Sequence, residues 1–391
     1  MQIKIGNKLF STGMFFFFLL IAVYSFITNK DELSGDGIFS VTSIMKYGTL
    51  FLCILTEAIN YYSNKIQEKK ILLRTEFKNF EWYFFILALF TLILSIGSFQ
   101  FSLRIVQTFI FVFFPMIYAF LVINNWTLEQ IKTSFKIGLI VAFTGYLISK
   151  GIGFSEIISN LTNITYQNTN SNVLESSTFA LLALGFSGYF CYFNKGLFWK
   201  ILSVLFVIMT FKRQITLTAI VLLILGFFAI KKRKVNLFVF IFAGIILIIF
   251  AFAYYHAIEP QNILNSSQMI GIDLRDFSTN RTDRLNWLSH SNFVSYGFGS
   301  STDYMYKTFD NLALEMDIVQ LFVEMGPVAI VAFISFYLLF SKGNFYVFVF
   351  MYLLLINSTL SSGMASTFAW IIILIGMAAI LKTSNMNRIE L

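Results

Sequence analysis

Two arginines three residues apart are the residues of this chain best suited to chemistry on an anionic group. Arg281 and Arg284 lie in a polar stretch, 256–316, between two long apolar runs. If this piece is helical, residues three apart share a face, and guanidinium groups bind phosphate through paired donors in one plane. The spacing favours a phosphate or pyrophosphate site, with Trp287 as a further candidate for substrate contact. The alternative is a solvated helix whose arginines pair with nearby aspartates.

A second basic pair interrupts an apolar stretch over 197–230. Lys212 and Arg213 divide this stretch into two helices and predict a short basic turn between them. A charged side chain within a membrane segment costs free energy, so its presence indicates a compensating interaction. Binding of an anion is one such interaction, which makes Arg213 a candidate catalytic residue and Lys212 a candidate substrate-binding residue. Contact of both side chains with lipid headgroups is the alternative.

Carboxylates near the end of the polar stretch are candidates for a general base. Asp310 is the first choice and Glu315 the second, because each carboxylate could take a proton from an attacking hydroxyl. Asn311 and the more deeply placed Glu324 are candidates for substrate contact. Acidic residues are also favoured near a helix N-terminus by the helix dipole, which is a purely structural explanation.

A smaller polar loop, 150–174, is rich in amides and hydroxyls and has few charges. Such groups suit hydrogen bonding to sugars, and Asn172 is the candidate residue, although turn formation explains the composition equally well. His256 and His290 lack a carboxylate-rich ligand set, so neither a metal site nor a cofactor is expected. The Gly297–Gly299 segment lacks the strand, helix and Lys context of a phosphate-binding loop.

The composition of the chain indicates which kind of protein carries these residues. The chain has 391 residues, of which 57% are hydrophobic and 12% charged, and its mean hydropathy is +0.76; soluble domains have about 25% charged residues. The apolar runs predict an all-α polytopic membrane protein of about 12 transmembrane helices, one of them over 317–340. We expect one integral membrane domain over 1–391, with 256–316 as a large extracytoplasmic loop and 150–174 as a smaller one.

The distribution of basic residues predicts the orientation. Most lysines and arginines fall in one set of loops and termini, which indicates that both termini are cytoplasmic and that both polar loops face outward. The net charge of +8 therefore reflects topology, and no nucleic-acid partner is expected.

The order of the motifs resembles that of the O-antigen ligase and Wzy polymerase superfamily. The resemblance is concentrated in residues 205–340 and rests on these segments in order: Phe211-Lys212-Arg213-Gln214, Arg281 to Trp287, Gly297-Phe298-Gly299, Asp310-Asn311 and Glu324-Met325-Gly326. Ligases of the superfamily typically have His-Asn where this chain has Asp310-Asn311. The resemblance therefore favours a Wzy-type O-antigen or capsular polysaccharide polymerase.

The resemblance implies a GT-C-like fold in the bacterial plasma membrane. It also implies inverting, metal-independent glycosyl transfer between undecaprenyl-pyrophosphate-linked oligosaccharides on the outer face, beside a flippase and a chain-length regulator. Either Arg281 or Arg284 matches the family arginine. Two other functions stay open: a ligase that transfers finished glycan, and, from a different class, a flippase or transporter of lipid-linked saccharide.

Overall fold

The structure is a computed structural model that describes seven parts of the chain: residues 12–27, 41–66, 71–151, 175–193, 196–309, 313–364 and 366–389. All regular secondary structure in these parts is helical. The prediction of a helical membrane protein is supported by the length and apolar composition of these helices.

The helices of the first half are α1 (Thr12–Ile27), α2 (Val41–Ile66), α3 (Arg74–Ser98), α4 (Leu103–Asn125), α5 (Leu128–Lys150), α6 (Ser177–Tyr192), α7 (Leu197–Met209) and α8 (Arg213–Leu225). Those of the second half are α9 (Leu237–Ile258), α10 (Ile263–Ile270), α11 (Leu274–Phe277), α12 (Arg281–His290), α13 (Ser300–Thr308), α14 (Asp317–Met325), α15 (Pro327–Ser341), α16 (Phe345–Leu360) and α17 (Thr367–Ile389).

Six helices of the described residues are long and apolar enough to cross a bilayer, namely α2, α3, α4, α5, α9 and α17. Six further apolar helices are 10–17 residues long, and they fall where the sequence predicts the remaining spans. A straight span needs about 20 residues. The count of 12 spans and the GT-C-like arrangement therefore stay predictions.

The chain forms two compact units. The first consists of residues 1–74, 114–232 and 366–391, and its centre is α6, which is buried along nearly its whole length. Helix α6 packs against α5, α7, α8 and α17. A Cβ on Gly185 would lie 3.0 Å from Ile372, so the missing side chain allows close approach of α6 and α17.

A buried carboxylate joins three helices of the first unit. Glu57 on α2 accepts hydrogen bonds from Asn125 Nδ2 at 2.6 Å and Trp126 Nε1 at 2.9 Å. These donors lie at the junction of α4 and α5. Because an unpaired charge is costly in an apolar interior, both hydrogen bonds offset the burial of Glu57.

The second unit consists of residues 75–113 and 233–365. Its helices α9, α14, α15 and α16 pack on one another. The polar stretch is folded as α10 to α13 around a small apolar core: Tyr254, Ile258, Ile263, Leu274, Leu285, Leu288, Met305, Leu314, Met316 and Val319. This core fixes the helices that carry the candidate site residues.

The helix predicted over 317–340 is divided into α14 and α15. Gly326 has a φ of +76°, and Pro327 is the first residue of α15. A left-handed glycine ends a helix readily, and proline at the next position cannot donate the hydrogen bond that would continue it. Asp317 Oδ2 accepts hydrogen bonds from Gly363 N at 2.8 Å and Met364 N at 2.7 Å, which fixes the start of α14.

Candidate functional site

Helix α12, which carries Arg281 and Arg284, begins directly after a sharp turn. Thr279 and Asn280 both have positive φ, +55° and +61°, so the chain reverses between α11 and α12. The hydrogen bond from Asn280 N to Arg275 O, 3.0 Å long, closes the turn. Leu285 and Leu288 then anchor one face of α12 in the apolar core.

Both arginines of α12 bind one carboxylate. Arg284 Nη1 lies 3.0 Å from Glu315 Oε1, and Arg281 Nε lies 3.4 Å from Glu315 Oε2. The side chain of Arg281 is 14% exposed and that of Arg284 is 21% exposed, whereas that of Glu315 is 42% exposed. Two partly buried cations therefore converge on an anion that solvent can reach. Such an arrangement suits a phosphate as well as a carboxylate, because both present oxygens to a guanidinium fork.

Backbone carbonyls fix the two guanidinium groups further. Arg284 Nη1 donates to Ala313 O at 2.6 Å, and Arg281 Nη1 donates to Ser278 O at 3.2 Å. Glu315 itself has a φ of +52°, an uncommon conformation for a residue with a side chain. Both arginines are thus oriented before any ligand binds, which reduces the entropy that binding must overcome.

Trp287 is on the same helix and stacks on Phe309. Their ring centroids are 5.9 Å apart with an interplanar angle of 28°. Tyr304 meets Phe309 edge to face at 6.5 Å. Trp287 is 43% exposed, so this aromatic group presents a face on which a sugar ring can stack.

Glu324 is buried and fully engaged by the turn before α13. It accepts hydrogen bonds from Gly299 N at 2.7 Å, Ser301 N at 2.9 Å, Ser301 Oγ at 2.5 Å and Gln320 Nε2 at 3.0 Å. The backbone donors of the Gly297–Ser301 turn therefore bind this carboxylate. Its predicted contact with substrate stays a prediction.

Asp303 is a buried carboxylate that sequence reasoning missed. It accepts hydrogen bonds from Tyr296 Oη and from Lys307 Nζ, the latter at 2.6 Å. Burial alone would raise the pKa of Asp303, but the hydrogen bonds from Lys307, Tyr296 and Ser102 outweigh it and hold the pKa below its ordinary value. The spacing of four residues between Asp303 and Lys307 was the available signal.

Lys212 and Arg213 belong to the first unit. Lys212 forms an ion pair with Glu175, whose backbone carbonyl also accepts a hydrogen bond from Lys150 Nζ at 2.9 Å. Arg213 is exposed and is the first residue of α8. The chain does form two helices here, as expected, but Arg213 lies inside the second one and Lys212 is its N-cap. A joint action of Arg213 with the arginines of α12 stays a prediction.

Three predicted site residues, Asp310, Asn311 and Asn172, lie outside the described residues. The described residues next to the first two, Phe309 and Ala313, both contact α12 through Trp287 and Arg284. Within the described parts of the chain, no group of three or more His, Cys, Asp or Glu side chains is arranged to hold a metal ion.

No known protein family, curated protein or solved structure matches this chain.

Proposed function

We propose that the protein is a polysaccharide polymerase that joins undecaprenyl-pyrophosphate-linked oligosaccharide repeat units on the outer face of a bacterial plasma membrane. The observation that supports it most is the convergence of Arg281 and Arg284 on Glu315 in the polar stretch of a membrane protein. The partial burial of both arginines and the adjacent exposed aromatic face are the features that a pyrophosphate-linked sugar requires.

In this proposal the arginines hold the pyrophosphate of the donor. As the bond between the anomeric carbon and the phosphate oxygen breaks, negative charge grows on that oxygen, and the guanidinium groups stabilise it. Arg213 is a further candidate for binding an anion, proposed from the sequence alone. The pyrophosphate replaces Glu315 as the anion between Arg281 and Arg284.

A carboxylate completes the transfer. A hydroxyl of the incoming repeat unit attacks the anomeric carbon, and its proton passes to Asp310, the first candidate, or to Glu315, the second. One glycosidic bond forms, one sugar–phosphate bond breaks, and undecaprenyl pyrophosphate leaves. Glu315 is suited to this role because release from the arginines frees its exposed carboxylate beside the reacting sugar.

In the proposal Trp287, which lies on the same helix as the two arginines, stacks on a sugar ring. Asn311, Asn172, Lys212 and Glu324 are assigned substrate contacts from the sequence alone. A flippase that supplies repeat units and a regulator of chain length are the partners that the resemblance implies.

Substitution of Arg284 tests the proposal. In a host lacking this gene, we expect wild-type protein to restore long polymer and Arg284→Ala to restore less than about 1% of it, because loss of one oriented, partly buried charge removes about 3 kcal/mol of transition-state stabilisation. Gel electrophoresis of extracted glycan gives the chain-length distribution.

Arg275→Ala is the matched control. Arg275 is in the same polar stretch, its side chain is 51% exposed, and its Nε lies 3.8 Å from Asp283, so its loss should leave chain length unchanged. Normal polymer in Arg284→Ala, at an equal amount of membrane-inserted protein, would remove Arg284 from the mechanism.

A further inference from the structure

A groove between α3 and α4 is open on the surface of the second unit. It has a volume of about 540 Å³, within the range of about 300–1,000 Å³ that holds small molecules. Its lining is almost wholly apolar and includes Phe84, Leu92, Ile96, Phe101 and Phe109. In a membrane protein, such a groove fits a hydrocarbon chain.

Arg104 supplies a cation one residue before the part of α4 that lines the groove. It lies in the first turn of α4, directly before Ile105, which lines the groove. Its guanidinium carbon is 4.3 Å from the centroid of the Tyr306 ring, and Nη1 donates to Gln107 at 2.7 Å. Nε is buried and donates to no described residue. Nη2 also donates to no described residue and is not buried, so the guanidinium keeps one donor that an anion can reach.

The charge of Arg104 is not neutralised by a neighbouring acid. No ion pair of Arg104 occurs among the residues that the structure describes. Asp303, on α13 one turn before Tyr306, is paired with Lys307 and Tyr296 instead. An anionic group beside Arg104 would thus meet a net positive site.

We propose that this groove and Arg104 bind one anionic phospholipid, with an acyl chain along α3 and α4 and the phosphodiester on the Arg104 guanidinium. A phosphodiester carries a single negative charge, which one arginine matches. A pyrophosphate needs more cations, as α12 offers with two arginines. The open side of the groove gives access to bilayer lipid, since Leu92, Ile96 and Phe101 are all exposed.

The bound lipid would support the turn before α13. Thr91 lines the groove, and its Oγ1 accepts a hydrogen bond from Phe298 N at 3.1 Å. Phe109 lines it as well and meets Phe298 edge to face at 5.4 Å. An acyl chain against Thr91 and Phe109 would therefore stabilise the segment whose backbone N–H groups bind Glu324.

Lipid photolabelling tests this site on the purified full chain in mixed micelles. The probe is phosphatidylglycerol with a diazirine on one acyl chain, and crosslinked peptides are mapped by mass spectrometry. We expect labelling enriched in residues 84–109. Unlabelled phosphatidylglycerol should compete about five times better than phosphatidylcholine, the preference that one arginine near the headgroup gives.

Two variants test binding of the lipid headgroup and binding of the acyl chain separately, and a third variant is the control. Arg104→Gln should abolish the fivefold preference, whereas Arg275→Gln should keep it. Ala88→Trp fills the groove and should remove the labelling of 84–109. An unchanged unfolding temperature in each variant would show that it still folds.

Other outcomes would overturn the proposal. Equal competition by the two phospholipids would show that Arg104 does not bind the headgroup. Labelling without enrichment at 84–109 would show that the probe contacts the protein only as bulk lipid does. Competition by soluble glycerol phosphate would indicate a free-phosphate site, and stronger competition by a polyprenyl phosphate would indicate an isoprenoid site. The assay requires no glycan synthesis, so its result is independent of the proposed function.

Discussion

Glu324 accepts hydrogen bonds from four donor groups, so we expect replacement of one of its carboxylate oxygens to lower the stability of the protein measurably. Glu324→Gln replaces one accepting oxygen with an NH₂ group that faces N–H or O–H donors. We expect the free energy of unfolding to fall by about 2 kcal/mol, because a buried donor is left without an acceptor. Thermal unfolding of the purified protein in detergent measures the change.

The exposed Glu129 provides the comparison. Its side chain is 80% exposed and pairs with Lys132 on the surface of α5, so Glu129→Gln should change stability by less than about 1 kcal/mol. Equal stability of the Glu324→Gln and Glu129→Gln proteins would contradict the account of the turn.

Asp303 gives a prediction for pH. Its pKa is lower in the folded protein than the value of about 3.9 in an unfolded chain. The stabilisation is therefore fully present above pH of about 4 and is lost as pH falls through the folded pKa. We expect Asp303→Asn to unfold at a lower temperature than wild type between pH 5 and 7, by a constant difference that shrinks below about pH 4.

A pH series of unfolding temperatures for both proteins measures this difference. A gap that stays constant down to pH 3 would mean that the charge of Asp303 is not the source of the stabilisation.

At the residue scale, the sequence showed that Arg281 and Arg284 could share one face of a helix, but it did not show their common partner Glu315. The spacing of Arg281 and Arg284 was visible because it is local. Glu315 is 34 residues from Arg281, and Glu324 is 25 residues from Gly299, so both pairings depend on how the polar stretch folds. No helical periodicity reports contacts over such separations.

At the scale of elements, the turn before α13 depends on two glycines. Gly297 and Gly299 have φ of +126° and +94°, and an added Cβ would lie 2.4 Å from Thr91 and 2.5 Å from Thr108. We expect Gly297→Ala to lower the free energy of unfolding by more than about 2 kcal/mol, through backbone strain and steric overlap together.

Gly271→Ala separates those two causes. Gly271 has a φ of +72°, yet an added Cβ would meet nothing within 4 Å, so its replacement adds strain of about 1 kcal/mol without overlap. Unfolding measurements on both variants give the difference. If Gly297→Ala costs no more than Gly271→Ala, the close packing of the turn on α3 is not important for stability.

Apolar composition predicted the existence of the helices but not all of their ends. The run from Asp317 onward was interpreted as one span because its apolar residues continue past Gly326. The structure begins a new helix at Pro327, and the adjacent Gly-Pro pair was the local signal for this break. Within 256–316 the sequence analysis considered a helix only at Arg281 and Arg284, and α10, α11 and α13 were not predicted because their short, mixed sequences show no clear periodicity.

At the scale of the whole molecule, the described helices have the length and apolar composition that hydropathy predicted for a helical membrane protein. Six helices of the described residues can span a membrane by length and composition, and six shorter apolar helices fall at other predicted spans. The division into two units was not visible in the sequence, because each unit combines segments that are far apart in the chain. Hydropathy reports burial in lipid, not which helices pack together.

The identity of the lipid-linked intermediates tests the central claim most directly. In a strain lacking this gene, mass spectrometry of extracted undecaprenyl-linked glycans should show single repeat units that a membrane-impermeant probe reaches from outside, with no long chains. Full-length polymer that stays on undecaprenyl pyrophosphate would instead identify a ligase, and single units that the probe cannot reach would identify a flippase. Either result would contradict the proposed polymerase.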